Sequence, residues 1–175
     1  MSGLMSGVGG DVFSPHGVTT RAQVVQILYN FVGEPEVTGE TKFTDLTQDW
    51  YKNAVLWAYQ NGVVAGTSDT TFEPEKPVTR EQIAVMFMEF AAKVLDMHNI
   101  GEAADLSAFP DGDQVSSWAH DAMADAVALG LISGVKTKDD TFLRPQGSAT
   151  REQVATILME FYTSIDNALI DVTTA

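Results

Sequence analysis

The chain repeats itself. Residues 62–90, "GVVAGTSDTTFEPEKPVTREQIAVMFMEF", align with residues 130–161, "GLISGVKTKDDTFLRPQGSATREQVATILMEF". Both run G-x-x-x-G, a polar turn, Phe, Pro, then Thr-Arg-x-Gln and an apolar-periodic stretch. Residues 3–31, "GLMSGVGGDVFSPHGVTTRAQVVQILYNF", follow the same scheme. A second shared piece precedes two of the three: "FTDLTQDWYKNAVLWAYQNG" from Phe43 and "FPDGDQVSSWAHDAMADAVALG" from Phe109. It pairs Phe43 with Phe109, Asp45 with Asp111, Trp50 with Trp118 and Ala54 with Ala122. A period of roughly 55–70 residues means tandem supersecondary units that bury their apolar faces against one another.

Each unit reads as helix–loop–helix, so the chain is expected to be all-α. Trp50, Ala54, Val55, Trp57 and Ala58 follow helical spacing, and Gly62 supplies a stop. Ile83, Met86, Phe87, Phe90 and Val94 mark the buried stripe of a second helix. Its counterparts are Val24, Ile27, Leu28 and Phe31, and then Val154, Ile157, Leu158 and Phe161. The turn between the helices has room for β contacts of two residues at most. The expected units are residues 1–34 (a second half only), 43–95 and 109–165, joined by linkers 35–42 and 96–108. After Ile165 a short helical end and a loose tail are expected. The first copy lacks its Phe-x-Asp and Trp-bearing helix. That helix is expected from a longer chain or from another molecule, and the second helix of copy one should otherwise expose apolar surface that favours self-association.

Composition narrows the function. Net charge is −14, which disfavours nucleic acid and anionic lipid as partners. No apolar run is long enough to span a membrane. "SGLMSG" after Met1 lacks the basic start and apolar centre of a signal peptide, as expected if a targeting segment lies elsewhere in a longer protein. With no cysteine there are no disulfides and no thiolate chemistry. His16, His98 and His120 share no context, and "FPDGDQ" lacks the alternating ligands of an EF-hand loop, so no metal site is expected. No catalytic order of Ser, His and Asp and no dinucleotide fingerprint occurs, so neither an enzyme nor a cofactor is expected.

Arg21, Arg80 and Arg151 each follow a capping Thr (Thr20, Thr79, Thr150) at a helix start. A cation there opposes the helix dipole by about 0.3–1 kcal/mol. Two readings stand. Each arginine pairs with a protein carboxylate, Asp45 and Asp111 being candidates. Alternatively each forms an anion fork at a helix N-terminus, where backbone N–H groups add to the attraction. Trp50 and Trp118 are either core fillers or platforms for a sugar face. Gly7, Gly66 and Gly134 either supply positive φ or admit a ligand to bare backbone.

The ordered set F-x-D, W-Y-x-x-A-V, G-V-V-x-G, F-x-P and T-R-E-Q resembles the S-layer homology module of bacterial cell-surface proteins. The resemblance covers most of the chain, as two full copies and one lacking its first half. It implies units arranged about a pseudo-threefold axis, with a central helical bundle and grooves between neighbours. It implies noncovalent docking onto secondary cell-wall polysaccharide, often carrying a pyruvate ketal, and hence an extracellular, cell-wall location. By position, Arg21, Arg80 and Arg151 and the backbone near Gly7, Gly66 and Gly134 would contact the acidic sugar, with Asp45, Asp111, Trp50 and Trp118 shaping the site. The sequence departs from the family in having Gln23, Gln82 and Gln153 where Glu is favoured, and Arg144 where the other copies have Ser14 and Glu73. The alternative reading is a protein–protein module that dimerises or assembles through the incomplete first copy.

Overall fold

The computed structural model describes residues 17–98 and 102–174, with side chains as far as Ile165. Five α-helices dominate the described residues: α1 (Arg21–Phe31), α2 (Asp49–Gln60), α3 (Arg80–Val94), α4 (His120–Ala128) and α5 (Arg151–Thr174). In the third copy β1 (Val135–Lys136) pairs antiparallel with β2 (Thr141–Phe142), Val135 opposite Phe142. This fits the helix–loop–helix reading and its limit of two-residue strand contacts. Linker 96–108 contributes a 3-10 turn, Leu106–Ala108. The expected loose tail is instead helical: α5 runs on to Thr174. Its sequence beyond Ile165 holds neither Gly nor Pro to end it.

The Thr-Arg-x-Gln motif explains where α1, α3 and α5 begin. Thr20 Oγ1 accepts the Gln23 N–H at 3.3 Å, while Gln23 Oε1 accepts the Thr20 N–H at 3.0 Å. Thr79 with Gln82 and Thr150 with Gln153 close the same reciprocal capping box. Gln thus does here what Glu does elsewhere. A helix start still leaves N–H groups without intrahelical acceptors. Neighbouring copies supply them: Arg21 N donates to Lys76 O at 3.0 Å, Arg80 N to Gly147 O at 3.0 Å, and Arg151 N to Gly17 O at 2.9 Å. One residue further on, Ala22 N donates to Pro74 O and Glu81 N to Pro145 O, both at 3.0 Å.

The segments before the three helices also bond in a closed ring. Thr19 N donates to Ala149 O at 2.9 Å, Ala149 N to Val78 O at 3.1 Å, and Val78 N to Thr19 O at 2.9 Å. Ten residues along each helix, the matched rings of Phe31, Phe90 and Phe161 meet one another, with centroids 5.7, 6.3 and 5.9 Å apart. Phe87 adds an edge contact to Phe161 at 5.2 Å. The three helices therefore converge at both ends, on main-chain hydrogen bonds at one and aromatic rings at the other.

The remaining helices pack across copy boundaries: α2 lies on α1, and α4 on α3. Ala22, Val24, Val25 and Leu28 of α1 are fully buried, with Tyr29 against Trp57 of α2 at 5.5 Å. The expected open apolar face on the second helix of copy one is therefore overturned, because the first helix of copy two covers it. Exposed apolar side chains occur instead on α5, where Met159 is 64% and Tyr162 44% accessible.

The buried face of α2 is the expected one at Ala54, Val55, Trp57 and Ala58, but it begins at Tyr51 and not at Trp50. Tyr51, Ala54, Val55 and Ala58 are completely enclosed, at i, i+3, i+4 and i+7. Trp50 is 46% and Trp118 59% exposed. The core-filler reading of the matched tryptophans fails, because Tyr51 takes the inward place and Ala119 takes it in copy three. Replacing Phe90 by Ala should cost about 3–5 kcal/mol in urea unfolding. Trp118→Ala should change stability by no more than about 0.5 kcal/mol.

Candidate functional site

Arg21 and Arg80 each reach from their own helix into the loop of the next copy. Arg21 Nε donates to Phe72 O at 2.8 Å and its Nη2 to Ala65 O at 3.3 Å, with the guanidinium carbon 4.6 Å above the Phe72 ring. Arg80 Nε donates to Leu143 O at 2.7 Å. Leu143, not Phe142, therefore stands where Phe72 stands in copy two, and it offers no ring to the cation. The longer turn of copy three displaces Phe142 into β2.

The aspartates hold the same turn from its other side. Asp45 accepts the Phe72 N–H at 2.9 Å and the Glu73 N–H at 2.7 Å. Asp111, itself buried, accepts those of Leu143 at 2.8 Å and Arg144 at 2.7 Å. Glu73 and Arg144 both sit at positive φ, 55° and 50°, a strained geometry for non-glycine residues that the aspartate pins. Among the described residues neither Arg21 nor Arg80 forms an ion pair with a carboxylate. The expected arginine–aspartate pairing is thus replaced by a clamp, in which cation and anion grip one turn by its C=O and N–H groups. Burial pushes the Arg21 guanidinium below its ordinary pKa, and Glu73 and Asp45 pull it back. For Arg80 burial acts the same way, Asp111 opposes it and the like charge of Arg144 adds to it.

The anion-fork reading also changes. The first N–H groups of the helices are consumed by neighbouring carbonyls and capping side chains, so the helix N-termini are not open anion sites. The positive helix ends face carbonyl oxygens, which makes an adjacent arginine tolerable. What remains for a ligand is the rest of the guanidinium.

Arg21 lines a groove of about 830 Å³ between copies. Its walls include residues 63–66, then Gln82, Val85 and Met86 on one stripe of α3, and Trp118 from the third copy. At its rim Lys76 bonds Glu73 at 2.9 Å, an ion pair that holds the Glu73 carboxyl below its usual range. A second groove, about 430 Å³, repeats the plan one copy later: Arg80, residues 131–134, then Gln153, Thr156 and Ile157 of α5. Gly66 and Gly134 lie in these walls for different reasons. A Cβ on Gly66 would come within 2.6 Å of Phe43 and of Thr71 O, so the site excludes a side chain although φ is not positive. Gly134 has φ of 78°, and a Cβ there would also meet Thr141. Arg151 is as buried as the other two arginines. Gly7 falls outside the described residues, and Trp50 lines neither groove.

The repeat order set by these contacts has counterparts elsewhere. The family model described as S-layer homology domain matches residues 1–25, 42–84 and 108–155. The chain belongs to the S-layer homology family. It is 32% identical to the Surface-layer 125 kDa protein of Lysinibacillus sphaericus over 94% of its own length and 13% of that protein. It is 30% identical to a Cellulosome-anchoring protein of Acetivibrio thermocellus, over 88% of this chain and 34% of the relative. An Amylopullulanase of Thermoanaerobacterium thermosulfurigenes is 28% identical over 89% of this chain but only 8% of the enzyme. The chain thus spans a minor part of these relatives. S-layer homology domains in surface-layer and cellulosome-anchoring proteins are cell-surface anchoring modules, and this chain shares that setting. Among the described residues no helix is long and apolar enough to cross a membrane.

The sequence alone assigns none of Lys76, Gln82, Val85 and Met86 to a groove, although the last three share helical spacing i, i+3, i+4 with a common wall. Asp111→Ala should strand two turn N–H groups, one of them fully buried. It should lower stability by about 1–3 kcal/mol and speed amide exchange at Leu143 and Arg144.

Proposed function

We propose that this chain is a non-catalytic anchoring module that binds acidic secondary cell-wall polysaccharide in the grooves between neighbouring units. It would thereby attach a larger protein to the bacterial envelope. The observation that carries the reading is the composition of the first groove. Arg21 brings a positive charge held rigid by its Nε bond, residues 63–66 bring a close wall including bare Gly66, and Trp118 brings an exposed indole. Arginine offers five N–H donors. Two on Arg21 are committed to Phe72 and Ala65, leaving donors in forked geometry for a carboxylate such as a pyruvyl group. Arg80 and Gly134 would act likewise in the second groove, and Arg151 with Gly7 in a third. Trp118 would stack on a sugar face and Trp50 would serve a further groove. Asp45 and Asp111 act behind the site, by holding the turns that the arginines grip.

The same reading includes units 1–34, 43–95 and 109–165 about a pseudo-threefold axis with a central helical bundle. The closed ring through Thr19, Val78 and Ala149 and the triangle of Phe31, Phe90 and Phe161 support it.

Net charge of −14 does not oppose an anionic ligand at close range, because charges beyond about 8 Å are largely screened at physiological salt. Arg21→Ala should weaken binding to purified wall polymer about tenfold or more, with helix content unchanged by circular dichroism. Wild-type affinity should fall as salt rises. Sedimentation with sacculi should be lost when the secondary polymer is stripped; undiminished binding to stripped walls would refute the glycan reading.

Exposed Met159 and Tyr162 on α5 favour one second reading, homo-oligomerisation through that face of the helix. Sedimentation equilibrium should then show association that Met159→Lys abolishes.

A further inference from the structure

The matched tryptophans are held by unmatched devices. Trp50 Nε1 donates to Gln48 Oε1 at 3.1 Å, and Gln48 Nε2 in turn donates to Glu75 at 3.1 Å. At the positions of Gln48 and Glu75 the third copy has Ser116 and Gln146, and neither bonds the Trp118 indole. Among the described residues the Trp118 N–H has no acceptor, although the ring stands at the wall of the Arg21 groove. What fixes the ring there is indirect. Glu81, second residue of α3 and only 4% exposed, turns its carboxylate away from the groove and into the segment that leads to Trp118. It accepts the Ser116 N–H at 3.1 Å, the Ser116 hydroxyl at 3.0 Å and Gln146 Nε2 at 3.3 Å. Gln146 Nε2 also donates to Gln114 O at 2.7 Å. The Ser116 hydroxyl is thereby drawn off from capping the 3-10 turn Ser117–Ala119 that carries Trp118. In copy one the position of Glu81 is Ala22, so no such latch can form for Trp50, and the Gln48–Glu75 pair takes its place.

We infer that Glu81 is a positioning residue: its buried carboxylate latches residues 114–116 to the start of α3 and so sets Trp118 over the Arg21 groove with its indole N–H open to a ligand oxygen. Gln82, Val85 and Met86, which form the groove wall, follow Glu81 on the same helix. One element therefore carries both the wall and the latch that places the opposing ring. The inference deepens the glycan reading of that groove and rests on it for its functional consequence.

The test uses the full chain labelled with 5-fluorotryptophan, the Trp118 resonance being assigned with Trp118→Phe. Without ligand, Glu81→Ala should shift and broaden the Trp118 signal and leave that of Trp57 unchanged; an unaltered Trp118 signal overturns the inference whatever the chain binds. Affinity for purified wall polymer should then fall about fivefold in Glu81→Ala, and by less than about twofold when the same change is made in Trp118→Ala, a coupling expected of residues in one network. Equal losses in both backgrounds would make Glu81 merely structural. If wild-type chain binds no polymer, the glycan reading fails and the ligand-free fluorine spectrum still decides the latch. Ser116→Ala, which removes one donor without touching α3, carries the same measurements if Glu81→Ala folds poorly.

Discussion

The structure depends on one requirement, that the N–H groups at a helix start find acceptors. In α1, α3 and α5 a capping box takes two of them, and carbonyls of the next copy take the next pair where both are described. Buried main-chain donors left unmet cost about as much as a lost hydrogen bond each. A single copy would leave several of them to water. Local helix formation and association between copies are therefore the same event, and the ring through Thr19, Val78 and Ala149 closes only when three copies are present.

The arginines belong to that logic before they belong to any ligand. Arg21 and Arg80 each spend their Nε on the neighbour's turn, and the aspartate of that neighbour holds the turn's N–H groups in opposition. The charge is thus presented at a fixed place, and its conformational cost is already met when a ligand arrives. Preorganised charge of this kind is worth more to binding than a mobile surface side chain. The grooves are a by-product of the same offset: an arginine that must reach forward by one copy leaves a channel beside the helix it crosses.

Much of this could be read from the residues themselves. The Thr and Gln spacing specified the caps, the 3.6 periodicity specified the buried faces of α1, α3 and α5, and the recurrent arginine marked the groove. Where the reading failed, nonlocal contacts decided. Trp50 fits an inward helical position as well as Tyr51 does, and only the packing of α2 on α1 chooses between them. Gly66 is required by Phe43 and Thr71, residues that no local rule sets beside it. Phe142 matches Phe72 by eye, but three extra turn residues place Leu143 there. Glu81 carries no local signal of its role, because its partners lie 35 and 65 positions downstream.

The pairing of α2 with α1 and of α4 with α3 separates the unit of sequence from the unit of packing. Duplicating one copy within an array of this kind would add a helix that finishes an existing pair and another that starts a new pair. Because the third copy bonds back to the first through Ala149 and Arg151, adding or removing a whole copy would reopen that closing junction even where each pair stays intact. Cutting at the copy boundary splits a packed pair, whereas cutting in the turn between the two helices of one copy keeps every pair whole.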